Sequence, residues 1–239
     1  MAGGEWSDLS IIIPVLNEAE NLPVLLNALA ALYPGVKIVV VDDGSSDGTP
    51  ALVREMSESQ LPGGSRVVLI DRFHAAVKGL TVSVLDGLKD VTSAYCAVMD
   101  GDMQHPPDVV GRMVQELRRG ADLVVAARLP YRENQTWYRT LVTRISKWIA
   151  RQRLRLNGWR IKDPLSGLFA CRSSLARDVV LLAAARFEPR GYKVLFDLLR
   201  IVPRRIKIVE VDYQFGFRAG GRSKLRPIHA FYFLRSVFK

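Results

Sequence analysis

An apolar run, Ala94-Tyr-Cys-Ala-Val-Met99, ends in two carboxylates one residue apart, Asp100 and Asp102, with an amide at Gln104 and a proline pair at Pro106 and Pro107. A short run of this kind reads as a buried strand emptying into a loop at its carboxyl end. That edge is where open α/β sheets bind ligands. Two acidic side chains so close repel each other unless a cation lies between them. Carboxylate together with amide oxygen is hard-ligand chemistry for Mg2+ or Mn2+, and the usual partner of such a half-filled shell is a substrate diphosphate. An isolated Asp-x-Asp is more often a pair of solvated loop aspartates. The strand-end position and a second acidic cluster upstream favour the metal reading here.

The rest of the chain supplies the sheet. Leu9–Leu16 is a β-branched first strand, and a helix over about Ala19–Tyr33 carries Leu22, Leu25, Leu26 and Leu29 on one face before Pro34-Gly35 stops it. Lys37–Val41 is a second strand, and its loop Asp42–Thr49 leads through Pro50 into another helix. Further strands follow at Arg66–Ile70 and Asp122–Arg128, with helices near Lys78–Val91 and Asp108–Arg119. This alternation predicts a doubly wound, mostly parallel α/β sheet. Later elements are a helix over Tyr138–Arg155, a turn at Lys162–Arg172 entering a short strand, helices near Leu175–Ala185 and Tyr192–Val202, and a last strand at Lys207–Phe215. No repeat, linker or low-complexity tract interrupts the pattern, so 1–239 reads as one domain.

Charge narrows the partner. A net charge of +10 implies something anionic: nucleotide, nucleic acid or membrane surface. The Tyr138–Lys162 stretch contains no Asp or Glu; in its helix Tyr138, Leu141, Val142, Ile145, Trp148 and Ile149 share one arc and Arg139, Arg144, Lys147 and Arg151 the opposite one. Such one-sided charge, with Trp148 and Trp159 close by, suggests a surface held against anionic headgroups. The end, Ile228–Lys239, is an amphipathic apolar-aromatic segment suited to packing on the core or lying on a membrane. No apolar run reaches bilayer-crossing length, no signal-peptide layout opens the chain, and Cys96 and Cys171 read as buried thiols of a reducing compartment. The expectation is a peripheral membrane protein on the cytoplasmic face.

Among the acidic loops, Asp42/Asp43 suits a nucleoside, because carboxylates accept hydrogen bonds from base N–H groups and ribose hydroxyls. The Asp100/Asp102 loop suits the metal. Neither a G-x-G-x-x-G fingerprint nor a Walker A sequence is present, and no helix-turn-helix, RNP or zinc pattern supports a nucleic-acid partner. His74, His105 and His229 are scattered; His105 reads as a loop residue that helps to shape the metal turn. Phe215–Lys224, with glycines beside Arg218, Arg222, Ser223 and Lys224, reads as a flexible basic loop that wraps a phosphate.

Ile11–Glu18, Val41–Thr49 and Asp100–Pro107 together resemble the family 2 glycosyltransferases of the GT-A fold. More narrowly, Asp163–Ala170, Gly191-Tyr-Lys193 and Phe215–Leu225 resemble the dolichol-phosphate mannose synthases. The resemblance implies a nucleotide-sugar half at 9–128, an acceptor half at 129–225 and a C-terminal amphipathic helix at 226–239. It implies that Pro14, Leu16, Glu18, Val41 and Asp43 hold the nucleoside, and that Asp100, Gly101 and Asp102 meet the diphosphate and sugar. Asp102 and Gln104 would hold the metal, Mg2+ or Mn2+, and Arg128 would contact the donor. Lys193, Arg218 and Lys224 would bind donor and acceptor phosphates, with Arg139 on the lipid phosphate and Asp100, Asp102, Arg218 and Lys224 as the catalytic set. The implied reaction is inverting transfer of mannose from GDP-mannose to a polyprenyl or dolichyl phosphate, with a UDP-hexose donor as the alternative. Some relatives continue into membrane helices, so a membrane-anchoring subunit or C-terminal membrane segment would fit the same pattern. Leu16 stands where the family often has an aromatic that stacks on the base, and Gly101 replaces the commoner alanine.

Overall fold

The computed structural model describes residues 5–59, 61–129, 137–216 and 228–239, leaving aside the side chains of 137–140 and 229. Seven strands form one sheet in the order β3-β2-β1-β4-β6-β5-β7. They are β1 (Leu9–Val15), β2 (Lys37–Asp42), β3 (Arg66–Asp71), β4 (Tyr95–Val98), β5 (Leu123–Arg128), β6 (Phe169–Arg172) and β7 (Ile208–Tyr213). Period-2 alternation of wholly apolar strands explains why both faces are covered. Ile12, paired with Val39 on one side and Val98 on the other, points into one apolar layer, while Ile11, Ile13, Ile38, Val40 and Ala97 point into the other.

The helices are α1 (Leu22–Leu32), α2 (Thr49–Glu58), α3 (Leu80–Lys89), α4 (Asp108–Arg118), α5 (Trp137–Leu156), α6 (Ser173–Ala183), α7 (Val194–Ile201) and α8 (Ile228–Phe238). Helices α1, α2 and α4 cover one face through Leu25, Val53 and Val110; α3, α5, α6, α7 and α8 cover the other through Val84, Leu154, Val179, Leu195 and Phe233. The expected doubly wound α/β architecture is therefore present. Helix α1 starts three residues later than its apolar pattern predicts. Residues 18–21 form a turn instead, because the Glu18 N–H donates to Thr49 Oγ1 (3.1 Å) and the Ala19 N–H to Asp47 Oδ2 (3.0 Å). Cys96 and Cys171 are buried register partners with sulfurs 3.4 Å apart.

Two features of this topology build the site. The sheet order reverses between β1 and β4, which opens a crevice at their carboxyl ends. Strand β6 runs antiparallel to β4 and β5, so the residues that precede it arrive at the same edge as the ends of its parallel neighbours. This is how Asp163–Leu168 reaches the crevice.

Helices α5 and α8 turn apolar side chains outward. On α5, Leu141, Val142, Ile145 and Trp148 are exposed, and on α8 so are Ile228, Phe231, Leu234 and Phe238. Their inner faces are fixed by polar contacts. Arg153 Nε donates to Val237 O (3.0 Å), joining the two helices. Ser236 donates to buried Asp197, Arg200 donates to Ser236 O, and Arg235 and Lys239 reach buried Glu188 at 3.1 and 3.2 Å. Among the described residues no helix is long and apolar enough to cross a membrane.

Candidate active site

A cleft of about 380 Å3 occupies the crevice, a size suited to a small-molecule ligand. Pro14, Leu16, Glu18, Asp43, Asp100, Gly101, Asp102, Gln104, Arg128 and Lys193 all line it. The structure thus gathers residues that lie as far apart in sequence as Pro14 and Lys193. Val41, the register partner of Pro14, is fully buried and does not line the cleft. Arg218 and Lys224 lie outside the described residues. Arg139 falls within α5, but its side chain is outside them too.

The two aspartates of the β2 loop separate in role. Asp42 is fully buried, and its Oδ1 accepts the N–H groups of Gly44 (2.9 Å) and Ser45 (2.8 Å), which closes the loop as an Asx turn. Asp43 faces the cleft. Its Oδ2 accepts the Gly79 N–H (2.7 Å) and its Oδ1 pairs with Arg72, which also binds Asp86 (2.8 Å) and Ser83 (2.9 Å). Burial pushes the Asp43 carboxyl up, beyond what Gly79 and Arg72 offset. Each oxygen keeps a lone pair for a further hydrogen-bond donor. The β1 loop is tied to the β2 loop through Asn17, which sits in the left-handed region (φ 52°); its N–H donates to Ser45 Oγ (2.7 Å) and its Oδ1 accepts the Ser46 N–H (2.8 Å).

At the end of β4, Asp102 is 6% exposed and its Oδ1 accepts the Gln104 N–H at 3.2 Å. This i-to-i+2 bond wraps the chain around Met103, which is held at φ 63°. A left-handed methionine costs on the order of 1 kcal/mol, and here it turns Asp102 and Gln104 toward the cleft. Asp100 is bonded to His105 (Nε2–Oδ2, 3.1 Å). Burial pushes the Asp100 carboxyl up, yet the His105 hydrogen bond and the charges of Lys193 and Arg128 hold it below its ordinary value, so it stays ionised. Gly101 has a steric reason: a Cβ there would lie 2.9 Å from Val15 Cγ1 and 3.4 Å from Ile13 Cγ2.

Among the described residues no three His, Cys, Asp or Glu side chains form a ready-made metal cage. Two carboxylates and an amide instead leave a partial oxygen shell. That fits Mg2+ or Mn2+, which take one or two protein carboxylates and complete their coordination with substrate phosphates and water.

The cationic wall comes from elsewhere. Arg128, at the end of β5, is held by Asp163 through Nε–Oδ2 (2.7 Å) and Nη2–Oδ1 (3.2 Å). Lys147 of α5 joins Asp163 from the other side at 3.1 Å, so it turns inward, away from the outward basic arc its sequence pattern suggests. Lys193 Nζ donates to Leu165 O (3.1 Å). Burial depresses Lys193 to about 8, with Arg128 adding to the effect and Asp100 opposing it. Asp163 belongs to a motif that the sequence signals, but its clamp on Arg128 and Lys147 was visible only in three dimensions; the same holds for Arg72 on Asp43.

Gly167 follows from close approach. A Cβ there would lie 2.4 Å from Asp100 Oδ2 and 3.0 Å from its Cγ. Gly167→Ala is expected to push the carboxylate aside and lower kcat by about 10- to 100-fold, with the melting temperature nearly unchanged. Steady-state kinetics beside a thermal melt check this; undiminished kcat would show that Asp100 does not need its present place.

The glycosyl transferase family 2 model matches residues 10–180. The chain is 36% identical over 237 residues to the dolichol-phosphate mannosyltransferase of Pyrococcus furiosus, covering 97% of this chain and 63% of that protein. It is 32% identical over 222 residues to the polyprenol monophosphomannose synthase of Mycolicibacterium smegmatis, covering 90% of this chain and 80% of that one. It thus spans just under two thirds of the length of the first relative. In fold it is similar to a Mycobacterium tuberculosis glucosyl-3-phosphoglycerate synthase solved with Mn2+, UDP-glucose and phosphoglyceric acid, with a TM-score of 0.65 at 22% identity over 96% of this chain and 79% of that one.

Proposed function

From the premise that this chain belongs to glycosyl transferase family 2, we propose that it transfers mannose from GDP-mannose to a polyprenyl monophosphate at a membrane surface. The observation that carries the reading is the lining of this one cleft. It brings together Leu16, Glu18 and Asp43, which suit a nucleoside, the carboxylate pair Asp100 and Asp102, and the cations Arg128 and Lys193. The polyprenyl and mannose parts are supported by the names of the relatives.

The acceptor needs little activation. A phosphate monoester has its second pKa near ~6, so at neutral pH it is already a nucleophilic dianion. Its oxygen attacks the anomeric carbon while the bond from that carbon to the nucleoside diphosphate breaks, which inverts the centre. What the chain contributes is alignment and charge. Asp43 and Glu18 anchor the nucleoside end, and Asp100 orients the sugar-diphosphate junction. Arg128, aimed by Asp163, and Lys193 offset the charge of two phosphate-bearing substrates. Asp102 and Gln104 would hold Mg2+ or Mn2+, which supplies positive charge against the departing diphosphate. The outward apolar rows of α5 and α8, beside Arg144, Arg151 and Arg235, suit a lipid surface that delivers the acceptor.

Lys193 gives this reading a pH signature. A diphosphate stabilises the ammonium, whereas burial within the protein alone holds it to about 8. Donor affinity is therefore expected to be full below pH 8 and to fall as pH rises through 8 toward 9.5, by about tenfold per unit at the steepest. In Lys193→Arg the guanidinium stays charged and the decline disappears. Calorimetric titration with GDP across that range checks it; a wild-type profile as flat as the variant's would remove Lys193 from the phosphate site.

The direct test titrates the protein with GDP-mannose and with UDP-glucose, each with Mn2+ and with chelator, followed by a transfer assay onto polyprenyl phosphate. Metal-dependent binding of GDP-mannose and a mannosylated lipid are expected. Preference for UDP-glucose would reassign the sugar, and binding of neither would overturn the reading.

A further inference from the structure

His105 has no part in the chemistry so far, yet it is a nearly fully enclosed polar group behind the cleft. It is 1% exposed, and both ring nitrogens are engaged. Nε2 lies 3.1 Å from Asp100 Oδ2, and Nδ1 lies 2.8 Å from the Tyr213 hydroxyl. An ionised carboxylate only accepts, so the hydrogen on that side belongs to Nε2. In a neutral ring Nδ1 is then the bare nitrogen, and the Tyr213 O–H donates to it. Tyr213 is able to play this part because burial pushes its hydroxyl pKa up and keeps it protonated.

The ring has no freedom to drift. Phe215 meets it edge-on with centroids 5.3 Å apart, and the Gly216 N–H donates to Gln104 O at 2.8 Å. The end of β7 is thereby stitched to the turn that carries Asp100, Asp102 and Gln104. Asp100, at 35% side-chain exposure, also packs closely against Gly167, where a Cβ would lie 2.4 Å from its Oδ2. The basic segment 217–227 begins directly after the stitched residues.

We propose that His105 is a positioning residue for the transfer step: as the Nε2–H tautomer, selected by Tyr213, it fixes the orientation of the Asp100 carboxylate and couples it to the end of β7. A preorganised carboxylate needs no reorientation as the sugar-phosphate bond stretches. Loss of the device slows the chemical step and leaves nucleotide binding, which depends on Asp43 and Lys193, in place. Second partners of this kind are worth about 10- to 100-fold.

The kinetic part rests on the transferase reading; the tautomer is a property of the protein alone. The test uses the full chain labelled with 15N-histidine. It has three histidines, and loss of a signal set in His105→Gln assigns His105. Wild type is expected to show a protonated Nε2 and a bare Nδ1, and Tyr213→Phe, which deletes one oxygen, to show a mixture of tautomers. In transfer from GDP-mannose to polyprenyl phosphate, Tyr213→Phe is expected to lose about tenfold in kcat with GDP affinity within about twofold. His105→Gln retains a side-chain N–H donor and should keep clearly more activity than His105→Ala. An Nδ1–H ring or an imidazolium in wild type overturns the proposal. So does an unchanged kcat in Tyr213→Phe, or equal losses in the Gln and Ala variants with GDP affinity falling in step, which a merely structural role would give. Were the wild type inactive with this substrate pair, the transferase reading would fall, and the tautomer spectra would still decide how Asp100 is held.

Discussion

Asp102→Ala is expected to lower kcat by about 10³-fold or more, the largest single loss the cleft offers. Two things vanish with the carboxylate. One is the negative charge that would share a cation with the substrate diphosphate. The other is the acceptor for the Gln104 N–H, which closes the turn around left-handed Met103. Asp102→Asn separates them: its amide oxygen still accepts the Gln104 N–H, but the charge is gone. Asn is expected to be almost as inactive as Ala, with Mn2+ binding in the presence of GDP weakened to a similar degree. Calorimetry with Mn2+ and single-turnover transfer kinetics read both losses. An Asn variant at near wild-type rate would mean that Asp102 serves only to shape the turn, and the metal assignment would fail.

The largest stability effect is expected at Asp163. Its side chain is 2% exposed and answers two cations, Arg128 and Lys147, each 23% exposed. Asp163→Asn keeps the shape and leaves both cations facing a neutral amide. Breaking a fully buried pair costs several kcal/mol; with cations that keep some solvent, about 2 kcal/mol is the reasonable figure. For a chain of this size that lowers the melting temperature by about 4–8 °C. Burial pushes the Asp163 carboxyl up, but Arg128 and Lys147 outweigh it and hold it below the ordinary carboxylate value. The contribution is therefore present at and above neutral pH. It is lost as pH falls through that depressed value, so wild-type and variant melting temperatures should converge only below about pH 4. Thermal melts from pH 3 to 8 check this, and curves that coincide at pH 7 would sink it.

The strands of the first half were legible because each is a continuous β-branched run between turn residues, and the position of Asp100 and Asp102 followed from where β4 had to end. The polarity of β6 was not. Four residues, Phe169–Arg172, carry no directional signal, and direction is decided by pairing with β4 and β5. The cleft lining was readable where motifs carried it, from Pro14 to Gln104. It was not readable where a single distant side chain does the work. Arg72 lies 29 residues from Asp43, and Tyr213 lies 108 from His105; neither spacing has a periodicity to betray it. The later start of α1 has a similar reason, since the backbone N–H groups of Glu18 and Ala19 are held by Thr49 and Asp47 from another loop.

Strand β6 has one more consequence. A parallel strand is followed by a helix whose positive N-terminal pole points back over the ligand edge, a field fixed by the backbone and indifferent to side-chain mutation. After β6 the chain enters α6 at the opposite edge, where the Ser173 N–H bonds Ala94 O just ahead of β4. That pole is directed away from the cleft. Beside β6 the positive potential therefore leans on replaceable groups, Arg128, Lys147 and Lys193, which add to the fixed pole of α7 where it starts next to Lys193. This makes the β6 side of the cleft the part of the molecule whose charge evolution or design can retune by point substitution, without refolding the sheet beneath it.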